Sequence, residues 1–188
     1  MNSSKDITAL ILAGGKSERM GTDKALIDFN GQSFIESSIG AVKPLCSRII
    51  ILGDPAKYAH LGYEVIPDLI ENSGPLAGLY TGLSTSLSEV NVALSCDIPL
   101  IESGLVERLL KEYDSTLDAL VCESNRLNPL VGIYHKRTAP IAKQQLECNQ
   151  RFMMKFLDRL DYKTLELQEE ETHILKNINT PIELKELL

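Results

Sequence analysis

The chain has 188 residues, 44% hydrophobic and 24% charged, with a formal net charge of -7 at pH 7. That length suits one ordinary domain with a substantial core, and the composition is that of a soluble globular protein. The acidic excess argues against nonspecific binding to nucleic acid or anionic membrane, and no apolar run is long enough to span a bilayer.

The polar start, Met1 to Asp6, followed by an apolar run broken by Thr8, reads as the approach to a strand and not as a signal peptide. Ile7 to Leu12 is that first buried strand. It runs into Leu12-Ala13-Gly14-Gly15-Lys16-Ser17-Glu18-Arg19-Met20-Gly21-Thr22-Asp23-Lys24, where three glycines let backbone N–H groups approach an anion. Asn30-Gly31 marks a tight turn, and Ser33 with Glu36 three residues on predicts a capped helix to about Leu45. Strands follow at Arg48 to Gly53 and Glu64 to Pro67. Gly74-Pro75-Leu76-Ala77-Gly78 opens a helix through Leu87. Asn91 to Cys96 is a fourth strand, Ser103 to Tyr113 an amphipathic helix, and Asp118 to Glu123 a fifth strand. A short strand spans Leu130 to Tyr134, preceded by Asn128-Pro129. Helices are predicted over Arg137 to Cys148 and Arg151 to Leu160, then a strand over Tyr162 to Leu167 and the acidic turn Glu169-Glu170-Glu171. Thr180 caps a last helix beginning at Pro181. Strand-like runs alternating with helical periods predict an α/β protein, a single domain over residues 1–188 built as a Rossmann-like three-layer sandwich around a mainly parallel sheet.

In such sheets ligands gather beyond the carboxyl ends of the strands, and the notable side chains fall there. Arg19 and Lys24 supply a fork and a point charge suited to phosphate oxygens. The loop spacing matches neither G-x-x-x-x-G-K-[ST] nor G-x-G-x-x-G. Asp97, at the end of the fourth strand, is the candidate Mg²⁺ ligand, because that ion takes hard oxygens and needs only one or two protein carboxylates; a helix cap or turn aspartate is the plainer alternative. Asp68 follows the third strand with less to mark it. Gly74 to Gly78 serves either to let a base or ribose lie against the backbone or simply to start a helix. Asn177 and Asn179, two residues apart, point the same way if the segment is extended. Cys46, Cys96, Cys122 and Cys148 form no C-x-x-C pair and predict buried, reduced thiols of a cytoplasmic protein. The scattered His60, His135 and His173 complete no zinc site.

Five segments together resemble the molybdenum cofactor guanylyltransferases of the nucleotidyltransferase superfamily. They are Leu12-Ala13-Gly14-Gly15-x-Ser17-x-Arg19-Met20-Gly21-x-Asp23-Lys24, Gly74-Pro75-Leu76-Ala77-Gly78, Cys96-Asp97-x-Pro99, Asn128-Pro129-Leu130 and Asn177-x-Asn179-Thr180-Pro181. The resemblance implies transfer of GMP from GTP to molybdenum-bound molybdopterin with release of pyrophosphate. It places Leu12, Ala13, Gly14 and Gly15 at the nucleotide, Lys24 on phosphate, and Asp68 and Gly78 by the nucleoside. Asp97 falls on Mg²⁺, and Asn177 and Asn179 near the pterin, with Arg19, Lys24 and Asp97 as the catalytic set. Transient contacts with cofactor-delivery or acceptor proteins are implied as well. Gly14 stands where related cytidylyltransferases tend to carry Ala, which suits a purine. One position departs from the pattern: some members carry an asparagine at the end of the second strand, where this chain reads Ile51-Leu52-Gly53-Asp54. A sister enzyme using CTP or another phosphorylated acceptor, and a non-catalytic nucleotide sensor, are the alternative readings.

Overall fold

A computed structural model describes residues 6–14, 23–178 and 183. β1 (Ile7–Leu12) is apolar on both faces and almost wholly buried. A 3₁₀ turn, Lys24–Leu26, is capped by Asp23, whose carboxylate accepts from the Ala25 amide at 3.1 Å. β2 (Asp28–Phe29) and β3 (Gln32–Ser33) form a small hairpin on Asn30-Gly31, both left-handed, as a two-residue loop requires. α1 (Phe34–Val42) starts where the Ser33 amide donates to Glu36 at 2.8 Å. Then come β4 (Arg48–Leu52), α2 (Pro55–Tyr58), β5 (Glu64–Ile66), α3 (Pro75–Thr85) and β6 (Val90–Ser95). The chain continues through α4 (Ser103–Glu112), β7 (Ala119–Glu123), β8 (Leu127–His135), α5 (Ala139–Glu147), α6 (Met153–Leu157) and β9 (Tyr162–Glu166). A 3₁₀ segment, Glu169–Leu175, includes the acidic turn.

Seven strands form one sheet in the order β5-β4-β1-β6-β8-β7-β9. Its pairings are parallel except those of β8, which runs against both β6 and β7. The strand period of two sends alternate residues to opposite faces. Ala9, Ile11, Ile51, Val92 and Leu94 pack under α1 and α4, and Leu10, Leu12, Ile50, Leu52 and Ala93 pack under α3, α5 and α6. The result is the expected three-layer sandwich around a mostly parallel sheet.

The differences from the sequence reading have local causes. β8 begins at Leu127, so Asn128 and Pro129 lie inside the strand instead of before a strand starting at Leu130. Proline is tolerated there because the β7 pairing is irregular: Val121 faces Gly132 while Cys122 faces Asn128, leaving Pro129 out of that ladder. The helix expected over Arg151 to Leu160 shrinks to α6. Asn149 is left-handed, and the Gln145 side chain donates to the Phe152 carbonyl at 3.1 Å, holding the approach out of helix. α1 stops at Val42 and closes through a turn, the Leu45 amide donating to Val42. α2 was not anticipated; Asp54 caps it by accepting from the Ala56 amide at 2.9 Å. Of the cysteines, Cys96 and Cys122 are buried and Cys46 partly so, but Cys148 is exposed just past α5. The cap and helix predicted at Thr180 and Pro181 lie outside the described residues.

Candidate active site

Parallel strands deliver their carboxyl ends to one edge of the sheet, and candidate residues follow three of them. Leu12-Ala13-Gly14 leaves β1, Asp68 follows β5, and Asp97 follows β6. The β1 exit is pinned between its neighbours: the Ala13 amide donates to Leu52 at 3.0 Å, and the Cys96 amide to Leu12 at 3.2 Å. Gly15, Arg19 and Asn179, predicted for the site, lie outside the described residues.

Lys24, in the capped turn after the glycine-rich loop, reaches across to Asp97. Its Nζ stands 3.1 Å from Asp97 Oδ2, and the two side chains are 15% and 20% exposed. A cation and a carboxylate this far from bulk water interact more strongly than a surface pair, and each keeps an open side toward solvent. Cys96, next to Asp97, is buried, and burial pushes its thiol up to about 12, so it is neutral and takes no charge from the site.

Asp68 occupies a different environment. Its Oδ1 is buried and has no hydrogen-bond partner among the described residues, and burial holds its pKa above the ordinary carboxylate value. A Cβ built on Gly14 would stand 3.7 Å from Asp68 Oδ2, and one built on Gly78 would stand 3.5 Å from Oδ1 and 3.3 Å from Leu12 Cδ2. The Asp68 carboxylate therefore sits between two glycines. Gly78 lies in the second turn of α3, where the missing methyl lets the helix approach both Leu12 and the carboxylate. Gly74 is the N-cap with φ of 72°, a conformation glycine adopts at no steric cost. The segment carrying Asp68 is tied to α3 through the Leu69 amide, which donates to Thr81 Oγ1 at 2.9 Å. A buried acceptor without a donor is an expensive feature to keep; Asn91 Oδ1 and Gln145 Oε1 share it, but of the three only Asp68 stands beside the β1 exit.

On the other side of Asp97 a cavity of about 240 Å³ opens, lined by Asp97, Arg126, Asn128, Pro129, Met154 and Asn177 among others. Asn177 is brought in by the return of the chain: the Ile178 amide donates to the Asp97 carbonyl at 2.9 Å, and the Ile178 side chain is buried against Phe29 and Phe34. Asn128 donates to Arg126 O at 2.9 Å and so braces the tight turn joining β7 to β8. Two residues that sequence reasoning passed over belong to this neighbourhood. Arg126 is an exposed cation two positions before the Asn128-Pro129-Leu130 motif, and its side chain makes no hydrogen bond or ion pair among the described residues. Tyr58 is buried under the β1 exit; the signal for its helix was Asp54-Pro55, an N-cap followed by a first-turn proline.

Among the described residues no group of three or more His, Cys, Asp and Glu is placed to hold a metal ion. A single carboxylate such as Asp97, open on one side, fits an ion that arrives with most of its oxygens supplied by phosphate and water, as Mg²⁺ prefers. No helix among the described residues is long and apolar enough to cross a membrane.

Lys24 and Asp97 thus stand between the β1 exit and the cavity, and the chain is similar to several known proteins. Residues 9–164 match the pattern of the MobA-like NTP transferase domain. A Flavobacterium johnsoniae protein named "Probable molybdenum cofactor guanylyltransferase" is 40% identical over 96% of each chain. The molybdenum cofactor guanylyltransferase of Serratia proteamaculans is 34% identical over 82% of this chain and 80% of its own. Among solved structures, the molybdopterin-guanine dinucleotide biosynthesis protein A of Archaeoglobus fulgidus superposes with a TM-score of 0.82 at 25% identity, covering 96% of this chain and 95% of its own.

Proposed function

This chain belongs to the MobA-like NTP transferase family, and on that premise we propose that it joins GMP from GTP to molybdenum-bound molybdopterin, releasing pyrophosphate. The observation that carries the reading is the Lys24–Asp97 pair, 3.1 Å apart, beside the 240 Å³ cavity that Asp97 lines. A reaction that brings two anions together needs cationic and metal-binding groups between them.

The nucleotide takes the side bounded by Leu12, Ala13, Gly14, Asp68 and Gly78. The orphaned Asp68 Oδ1 accepts a hydrogen bond from the nucleoside, and the glycines on either side leave room for it. Lys24 holds phosphate, joined by Gly15 and Arg19 of the loop. Asp97 would hold Mg²⁺, and the ion would supply Lewis-acid stabilisation of phosphate charge there. The acceptor takes the cavity, with Asn177 and Asn179 toward the pterin and Arg126 toward its terminal phosphate.

That phosphate is a monoester with a second pKa of about 6 and is largely dianionic at neutral pH. One of its oxygens forms a bond to the α-phosphorus while the α–β bridging P–O bond breaks, its electron pair leaving with pyrophosphate. No general base is required, in keeping with a site built without histidine. Catalysis rests on positioning and on stabilising charge.

The test is pyrophosphate release by the purified protein with Mg²⁺ and molybdenum-loaded molybdopterin, supplied in parallel with GTP, CTP or ATP. Release with GTP and formation of the guanine dinucleotide is the expected result. Release with CTP would keep the mechanism and overturn the base; binding of GTP without any release would favour a sensor. Gly14→Ala sharpens the base assignment. The added methyl meets the protein at ordinary contact distances, so its steric effect falls on the ligand, and GTP turnover should drop relative to CTP. An unchanged ratio would remove Gly14 from base selection.

A further inference from the structure

Tyr58 ends α2 and is 1% exposed. Its hydroxyl lies 3.0 Å from the Ala13 carbonyl and 3.0 Å from each carboxylate oxygen of Asp23. Ala13 and Asp23 flank the glycine-rich loop, one before it and one after it, so one phenol meets both ends. Asp23 is held further by Lys57 Nζ at 2.7 Å and by the Ala25 amide at 3.1 Å. The last of these bonds caps the turn from which Lys24 reaches Asp97. Burial, followed by the Asp23 charge and hydrogen bond, raises the hydroxyl's pKa well above its ordinary value, so it remains a donor at any working pH.

The room for the ring comes from Gly53. A Cβ at that position would stand 2.7 Å from Tyr58 Cε2, closer than side chains pack. The space that a side chain at Gly53 would take is filled by the edge of the tyrosine. A connected path results: Gly53 admits the ring, the hydroxyl anchors Asp23, Asp23 caps the turn, and the turn aims Lys24.

We infer that Tyr58 is a positioning residue for Lys24, fixing the lysine's approach to the triphosphate by anchoring Asp23, the cap of the lysine's turn, to α2. The inference rests on the assignment of Lys24 to phosphate. Tyr58 touches neither substrate; it acts through Asp23 and the capped turn.

A double-mutant cycle on the full chain tests this. Tyr58→Phe keeps the ring and removes only the hydroxyl, and should lower kcat/KM for the nucleotide about ten-fold, the scale of one lost charge-assisted hydrogen bond, with the acceptor KM unchanged. In a Lys24→Ala background the same change should cost less than two-fold, because its route has already been removed. A purely structural role would lower Tm alike in both backgrounds and leave the nucleotide KM in place. Equal losses in the two backgrounds, or no loss in Tyr58→Phe, would overturn the inference. Gly53→Ala, which displaces the ring, should copy Tyr58→Phe and add little to it. Titration calorimetry with Mg²⁺-GTP on the same proteins reads the coupling without turnover. A wild-type protein that binds GTP but transfers nothing would thus count against the transfer reading alone, and one that binds no GTP would overturn both.

Discussion

The β7–β8 ribbon carries an arginine near each end, and the two are used in opposite ways. At the amino end of β7, Arg137 is fully committed: Nε donates to Asp118 at 2.7 Å, Nη1 to the Ser115 carbonyl, and Nη2 to the carbonyls of Thr116 and Leu117. At the other end Arg126 lines the cavity beside Asp97 and has no side-chain partner among the described residues. The same contrast separates Asp118, whose pKa is lowered by the Arg137 bond and the Asp161 amide against the cost of burial, from Asp68, whose buried Oδ1 has no partner among the described residues. At one edge of the sheet Arg137 and Asp118 are closed on one another; at the opposite edge, among the described residues, the Arg126 side chain and Asp68 Oδ1 are left without partners. The open edge is where a charged ligand gains most, since the desolvation of those groups is already part of the fold.

The contrast breaks most sharply at Asp97. Asp97→Ala should lower kcat by about 10²–10³, the scale of losing one preorganised charge contact, while Tm holds or changes little because the carboxylate keeps an open side. Steady-state turnover and a thermal melt on the same protein check both halves. Near-normal turnover would remove Asp97 from the chemistry.

The arginines then give a paired test at about the ten-fold level. Arg126→Ala should raise the acceptor KM about ten-fold, as loss of one cation from an anion site does, with Tm unmoved. Arg137→Ala should leave both KM values in place and cost ~2 kcal/mol through the lost charged hydrogen bonds, lowering Tm by about 4–8 °C for a chain of this size. If the effects were exchanged, the division of the ribbon into a binding end and a bracing end would be wrong.

Neither assignment was legible from the sequence, where both residues are simply arginines. What the sequence carried well was periodicity: β1 is recovered to the residue, and β4, β5, β6, β7 and β9 to within one or two at either end. It also carried the turn chemistry of Asn30-Gly31 and the Ser33–Glu36 cap. It failed where a tertiary contact overrode a local signal. The strand read from Leu130 starts earlier, through Asn128 and Pro129, and only the β7 irregularity admits the proline. The four residues of α2 are too few to show a helical period, yet they hold Tyr58 and Lys57 against Asp23. In the site, Lys24 and Asp97 were readable as residue types suited to phosphate and Mg²⁺, but their 3.1 Å approach depends on the packing of β1 beside β6. Asp68 was the faintest signal and became the most informative, because an unpartnered buried oxygen exists only once the chain has folded around it.

The finest test follows from that oxygen and works through pH. A carboxyl whose pKa is raised on folding holds its proton more tightly in the native state than in the unfolded one. Between the unfolded value, about 3.9, and the raised folded value, the native protein binds more protons, so stability falls as pH rises and the deficit is complete above the folded pKa. Asp118, lowered on folding, has the opposite sign: its contribution is present above the unfolded value and is lost as pH falls through the folded one. Asp68→Asn should therefore raise Tm slightly at neutral pH and weaken GTP binding at the same time, with the Tm gain shrinking toward zero as the pH is taken down to the unfolded carboxylate range. Thermal melts of both proteins across that range, beside GTP titrations at neutral pH, measure the two effects. A neutral-pH loss of stability in Asp68→Asn would mean that the ionised carboxylate is already satisfied in the free protein, and the open edge would then close like the other.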